Sequence, residues 1–451
     1  MLRKLVSQPH QGNIAVDTRD LFKHQDDVMF VPHPDKPPPT RLTFDLAARI
    51  KMRGPITMAD YMNQALQHPT YGYYTKEANQ IGRAGDFTTA PEMSQLFGEL
   101  LGVWCVATWR AAGSPPAPLL VEGGPGRGTL MADLLRAAAA FPDFRGGLAG
   151  VHLIETSPAL RRVQAAALGV GAVSDNDDEG VQSGKAGAAY GGVAVTWHRE
   201  LRSVPAGYTL LLAQELLDAL PVHQFEAGQW RERLVDVDES AQGHHLRHVL
   251  STSATPAVRA LLEPPGEGEG GDAAAAAAAA AAGVAPQPGD TIEVCPMALA
   301  VVQETAKRIA EHGGGALFID YGEDHPAGDT VRAFRSHQEV HVLAEPGMAD
   351  ITADVDFAAL RRCADAVPGA VCHGPVPQGV FLQTMGAAER AAVLVEQPHI
   401  TDAQAEAIFT SFERLVDPKQ MGQKYKVLAV VSQAHPEVPP GFPPLGTETY
   451  Q

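Results

Sequence analysis

From Pro118 onward the chain alternates short apolar runs with longer stretches in which apolar residues recur every three or four positions, the pattern of strands and helices in turn. Leu119–Glu122, Gly150–Glu155, Val193–Trp197, Tyr208–Ala213 and Gly315–Asp320 read as strands. Thr129–Ala140, Ser157–Leu168 and Met297–His312 read as the helices between them. Such alternation predicts a parallel sheet covered by helices on both faces. Val380–Thr384 and Tyr425–Val431 are candidates to close the sheet. Upstream, Phe44–Met52, Pro55–Gln67 and Met93–Ala111 carry helical periodicity, the last with Leu96, Phe97, Leu100, Leu101 and Trp104 on its inward face.

Punctuation sets the expected boundaries. Prolines crowd Pro32–Pro39, so residues 1–40 read as a tail with a possible targeting segment, and the compact protein is expected to start near Arg41. Residues 41–112 then form a helical cap and lid loop, and residues 113–435 the main domain. A glycine, alanine and proline stretch at residues 264–289 reads as a low-complexity surface insertion, Gly169–Gly192 as a second one, and residues 436–451 as a proline-rich tail.

Chemistry concentrates where strands end, because ligands of open parallel sheets bind beyond the carboxyl ends of the strands. After the first strand comes Glu122-Gly-Gly124-Pro-Gly126-Arg-Gly128. Glycine at every second position permits left-handed dihedrals and close approach of a ligand. A dinucleotide fingerprint would need glycine at Thr129 or Met131, which disfavours a nicotinamide-dependent oxidoreductase. The pattern E-x-G-x-G-x-G is instead that of the glycine loop of class I S-adenosylmethionine-dependent methyltransferases. Glu155, ending the second strand, could accept hydrogen bonds from both ribose hydroxyls, or could simply complement the following helix dipole. Glu215 and Asp218 follow the fourth strand three residues apart, so a helical turn would put both carboxylates on one face. Paired acids can hold a guanidinium in fork geometry and aim one nitrogen at a methyl donor. The same two residues could also be a surface acid and a turn cap ahead of Pro221.

Bulk properties narrow the classes. With 35 basic and 53 acidic residues, formal charge −18, a nucleic-acid surface is disfavoured and a basic protein segment is the more natural partner. Four cysteines without a C-x-x-C pair suit a reducing compartment. No run is long and apolar enough to span a membrane. No metal-ligand spacing and no G-x-S-x-G elbow is present.

Beyond the glycine loop, the chain resembles the MidA family along most of its length. The resemblance is carried by Gly54-Pro55-Ile56 with Tyr71-Gly72-Tyr73-Tyr74, Gly85-Asp86-Phe87-Thr88-Thr89-Ala90-Pro91-Glu92, Val121–Leu130, Gln214–Pro221, Asp320-Tyr321-Gly322, Leu343–Phe357 and Gly374-Pro375-Val376-Pro377-Gln378-Gly379. It implies a class I methyltransferase fold with an antiparallel closing strand and a helical N-terminal cap, and S-adenosylmethionine as cofactor. It further implies the mitochondrial matrix, and symmetric dimethylation of an arginine on the 49 kDa-type subunit of respiratory complex I during assembly. Glu215 and Asp218 are then catalytic; Glu122, Gly124, Gly126, Gly128, Glu155, Gln214 and Asp86 face the cofactor; no metal is expected. Asp329–Arg335 and Asp350–Phe357 would lie on the substrate side. Gly123-Gly124 stands where the family commonly has Leu-Gly, and Gln214-Glu215 where it has Asn-Glu. Neither change removes a carboxylate. An assembly chaperone that keeps the cofactor pocket without turning over is the alternative within the same fold.

Overall fold

The computed structural model describes residues 33–75, 89–171, 174–176, 181–228, 230–262, 287–326, 328–434 and 438–443. Its centre is a sheet whose main strands are β1 (Leu119–Gly123), β2 (Gly150–Ile154), β3 (Ala194–His198), β4 (Thr209–Gln214), β5 (Gly314–Glu323), β6 (Ala370–Pro377) and β7 (Tyr425–Ser432). They lie in the order β3-β2-β1-β4-β5-β7-β6, with β7 antiparallel to both of its neighbours and the other adjacent pairs parallel. Strand order reverses at β1, between β2 and β4, so a crevice opens there at the carboxyl ends.

Period-two burial explains why this sheet forms. Leu120, Leu210, Leu212, Leu317 and Val427 enter one buried cluster, and Val121, Leu211, Phe318, Leu428 and Val430 the other. The first face is covered by α3 (Gln95–Ala111) and α4 (Thr129–Ala138), the second by the helices Pro296–His312 and Phe357–Asp365. Leu96, Phe97, Leu100, Leu101 and Trp104 are buried, as their spacing predicts. Fully burying such a side chain stabilises by about 1.5–3 kcal/mol.

Above the crevice sits a second layer. α1 (Arg41–Arg53) and α2 (Met58–Gln67), capped by Thr40 and Thr57, share a core with Val222, Val235, Leu246, Ala333 and Ile351. The sheets behind these residues are inserted in the chain: His223–Glu226, Arg231–Val237, Leu246–Leu250 and Thr291–Val294 after β4, and Arg332–Arg335, Gln338–Val340 and Asp350–Thr352 after β5. Sequence patterning assigned none of these strands. Lys36, ahead of Arg41, is also buried, its ammonium donating to the Asp238 carbonyl 2.8 Å away.

Two expected elements differ. Val380–Thr384 is not a strand but part of a helix, Gln378–Thr384; the closing strand beside β7 is β6. A short apolar run fits a buried strand or a buried helix equally, and β6 was disguised by its glycine and prolines, which an edge strand tolerates. Its register shifts between His373 and Val376, at Gly374-Pro375. The second presumed insertion contributes the strands Ser174–Asn176 and Val181–Lys185, the latter antiparallel to β3.

Candidate active site

The glycine loop follows β1. Gly124, Gly126 and Gly128 have φ of 65°, 51° and 83°, in the left-handed region that residues with a Cβ adopt rarely. A Cβ on Gly124 would come within 2.9 Å of Leu216 Cδ1. The loop delivers the chain into α4, whose N-cap, Gly128, provides no side-chain hydrogen bond to the first turn. Glu122 lies beneath it, buried, with no hydrogen-bond partner for Oε2 among the described residues, and burial pushes its carboxyl up to about 8.

Glu155 follows β2. Its Oε1 accepts from the Ser157 amide at 2.7 Å and its Oε2 from Gln164 Nε2 at 3.1 Å. Gln164, fully buried on the helix Pro158–Ala167, also donates to the Gly126 carbonyl at 2.8 Å and accepts from Trp197 Nε1 at 2.8 Å. One amide therefore ties the glycine loop, Glu155 and β3 together. Arg161 donates to the Glu155 carbonyl through Nε at 2.9 Å and Nη2 at 2.6 Å. Burial raises the Glu155 carboxyl above its ordinary range.

Beyond β4 the chain does not make the expected helical turn; Glu215 takes a left-handed φ of 50° instead. For a residue other than glycine that backbone costs on the order of 1–3 kcal/mol, and it is held by the Glu215 amide donating to the Ile319 carbonyl at 2.9 Å. Glu215 and Asp218 still face one cleft. Glu215 Oε1 accepts from Gln214 Nε2 at 2.8 Å and from the Ala90 amide at 3.2 Å, and Oε2 from the Tyr425 hydroxyl at 3.4 Å. Asp218 Oδ2 accepts from the Tyr321 hydroxyl at 2.8 Å, while Oδ1 has no partner among the described residues. Burial, and for Glu215 also the neighbouring Asp218 charge, push the carboxyls up to about 7 and about 6 respectively.

Sequence reasoning gave no role to the residue that shapes this turn. Buried Asp320, on β5, accepts from the amides of Leu217 at 2.9 Å, Asp218 at 3.3 Å and Tyr321 at 3.0 Å. It is a positioning residue: it fixes the backbone of the acids without lining the cleft. The aromatic wall was likewise unassigned. Tyr321 and Tyr425 meet edge to face at 5.6 Å, and the Tyr74 hydroxyl donates to Asp350 Oδ1 at 2.7 Å.

A cleft of about 1300 Å³ joins these parts. One end is lined by the glycine loop, Glu122, Glu155, Gln214 and Leu216; the other by Tyr74, Asp218, Tyr321, Asp350 and Tyr425, with Glu215 between them. Asp86 lies outside the described residues. Among the described residues, no group of three or more His, Cys, Asp or Glu side chains is placed to hold a metal.

The first end fits S-adenosylmethionine. Its glycine cradle excludes Cβ atoms, and beside it, among the described residues, lie two buried acceptors without a partner, Glu122 Oε2 and Gln214 Oε1, which suit a cofactor rich in N–H and O–H donors. Strand order, reversal point and cradle together define a class I S-adenosylmethionine-dependent methyltransferase. Residues 100–376 match the family model described as "Putative S-adenosyl-L-methionine-dependent methyltransferase". The chain belongs to this family, and within it to the MidA group of protein arginine methyltransferases. It is 40% identical over 397 residues to zebrafish (Danio rerio) mitochondrial protein arginine methyltransferase NDUFAF7, covering 86% of each chain. It is 38% identical over 401 residues to the protein of the same name from Homo sapiens, covering 88% of this chain and 85% of the human one. A crystal structure from Burkholderia thailandensis with bound S-adenosyl-homocysteine superposes with a TM-score of 0.67 at 26% identity, covering 90% of this chain and 97% of that one.

Proposed function

We propose that the protein methylates an arginine of the 49 kDa-type subunit of respiratory complex I, giving symmetric dimethylarginine during assembly in the mitochondrial matrix. The observation that carries the arginine reading is the pair of carboxylates, Glu215 and Asp218, set against Tyr321 and Tyr425 where the cofactor end of the cleft meets the acceptor end. The matrix reading draws support from relatives named mitochondrial, and no helix of the described residues is long and apolar enough to cross a membrane. The subunit and the degree of methylation rest on the family resemblance.

Bound S-adenosylmethionine supplies an electrophilic methyl group on a sulfonium. The protein's part is to bring a poor nucleophile into line. A guanidinium is planar, delocalised and always protonated in water. Glu215, held by Gln214, the Ala90 amide and Tyr425, cannot swing away from it, and Asp218 keeps Oδ1 free because Tyr321 occupies Oδ2. Two fixed carboxylates localise the positive charge on the nitrogens they face and turn the remaining nitrogen toward the methyl. Asp218 Oδ1, on a carboxyl that burial pushes up to about 6, would take the proton released when the methyl passes from sulfur to nitrogen, the S–C bond breaking as the N–C bond forms. Gln214, Glu122 and Glu155 are assigned to the cofactor.

Incubating the protein with methyl-labelled S-adenosylmethionine and the unassembled 49 kDa-type subunit should place label on arginine, located by mass spectrometry of the digested subunit. A folded, cofactor-bound protein that labels no arginine of that subunit would overturn the proposal.

A further inference from the structure

The acceptor end of the cleft is acidic, yet among the described residues two cations line it, Arg332 and Lys424. If they served to neutralise the reacting acids they would pair with Glu215 or Asp218. They do not. Glu215 accepts from Gln214, Ala90 and Tyr425, and Asp218 Oδ2 from Tyr321, so among the described residues no cation pairs with either acid. Arg332 instead pairs through Nη2 with Asp354, behind the wall, and its buried Nε has no partner among the described residues. Lys424 is exposed and forms no ion pair among the described residues. Both cations stand over one ring, that of Tyr321: the Arg332 guanidinium carbon 5.8 Å and the Lys424 ammonium 5.3 Å from its centre. That ring donates to Asp218.

The placement of Arg332 is fixed by a small sheet. Arg332 pairs with Thr352 and Phe334 with Asp350, so these four share one face, and all four line the cleft. Arg332 is therefore part of the same wall as the acceptor site. It cannot be a freely moving surface residue.

We propose that Arg332 and Lys424 read a carboxylate that lies next to the target arginine in the acceptor chain, so that the preferred substrate is an arginine with a neighbouring acid. This rests on the arginine reading above and narrows it. The arginine enters between Glu215 and Asp218, while the acid is met by two donors that the chamber's own acids leave uncommitted. The carboxylate could be an Asp or Glu side chain or a peptide C-terminus.

The test uses fluorescent peptides, each with one central arginine in a Gly/Ser background and one aspartate walked through the flanking positions. Each is compared with its asparagine counterpart, and arginine-terminated peptides are compared as free acid and amide. Binding is measured by anisotropy on the full chain loaded with S-adenosylhomocysteine, and methylation separately with labelled cofactor. At the best position, aspartate should lower Kd about tenfold relative to asparagine. Arg332→Gln should erase that difference, and Lys424→Glu, a surface change that leaves the fold intact, should turn the preference toward a flanking lysine. Preference for the free acid only at the terminus assigns the carboxylate to a chain end. Equal affinity for every acid and amide pair, or no binding of any peptide, overturns the inference. Acid-dependent binding with no label on any arginine supports the carboxylate reading and overturns arginine methylation.

Discussion

Glu215→Gln and Asp218→Asn are each expected to lower kcat for arginine methylation by about 10²–10³-fold, with S-adenosylhomocysteine affinity little changed. Each amide keeps the size of the side chain and removes the charge that pairs with the guanidinium. Single-turnover label transfer measures the loss, and calorimetric titration checks the cofactor site. The folded state should not suffer. Burial raises both carboxyls, Glu215 from 4.5 to about 7 and Asp218 from 3.8 to about 6, so within those windows the native state holds protons that the unfolded chain has released. Stability contributed by these groups therefore falls as pH rises through the windows. At pH 8 the penalty for burying both charges is fully present, and the amide variants, freed from it, should melt at or above the wild-type temperature. Activity has the opposite sign: kcat/KM of the wild type should fall as pH drops through about 7 and 6, as the acids lose the charge the substrate needs. A variant that is inactive but still supports assembly in cells would show that turnover is dispensable there and favour the chaperone alternative.

Glu155→Ala should weaken S-adenosylhomocysteine binding by about 10–100-fold, since a hydrogen bond to a charged group contributes roughly 1.5–3 kcal/mol. A carboxylate has about four lone-pair sites; Ser157 and Gln164 use two of them, and the others remain for a ribose diol. The internal bonds complicate the reading, because Gln164 also holds the Gly126 carbonyl. Glu155→Gln separates the two effects. It retains an acceptor for the Ser157 amide, so a loss of affinity in this variant without a drop in melting temperature reports the ligand contact itself.

The parallel sheet was legible because its strands are apolar on both faces and bounded by glycines and acids. Each strand from β1 to β5 lies where the apolar runs put it, give or take a few residues. The inserted sheets were not legible: strands such as Arg231–Val237 mix charges with aliphatics, and their partners lie far away in sequence. At the site, Glu122, Glu155, Glu215 and Asp218 stood out because acids at or shortly after strand ends are unusual in a buried crevice. Tyr74, Tyr321, Tyr425 and Gln164 carried no such mark. A tyrosine in a strand end looks the same whether it packs or donates to an acid of the cleft, and only the meeting of β5, β7 and the cap reveals which. Asp320 could have been found by asking what satisfies the amides of Leu217 and Asp218 in a turn that is neither helix nor strand.

Methyl transfer here needs one geometry: the glycine cradle would seat the methyl donor with its sulfur toward the two acids after β4. A crystal structure with S-adenosylhomocysteine tests it directly. The ribose hydroxyls are expected within hydrogen-bond distance of Glu155, and the sulfur directed toward the space between Glu215 and Asp218. A ligand bound with its sulfur turned away from both acids, or seated outside the loop of Gly124, Gly126 and Gly128, would contradict it.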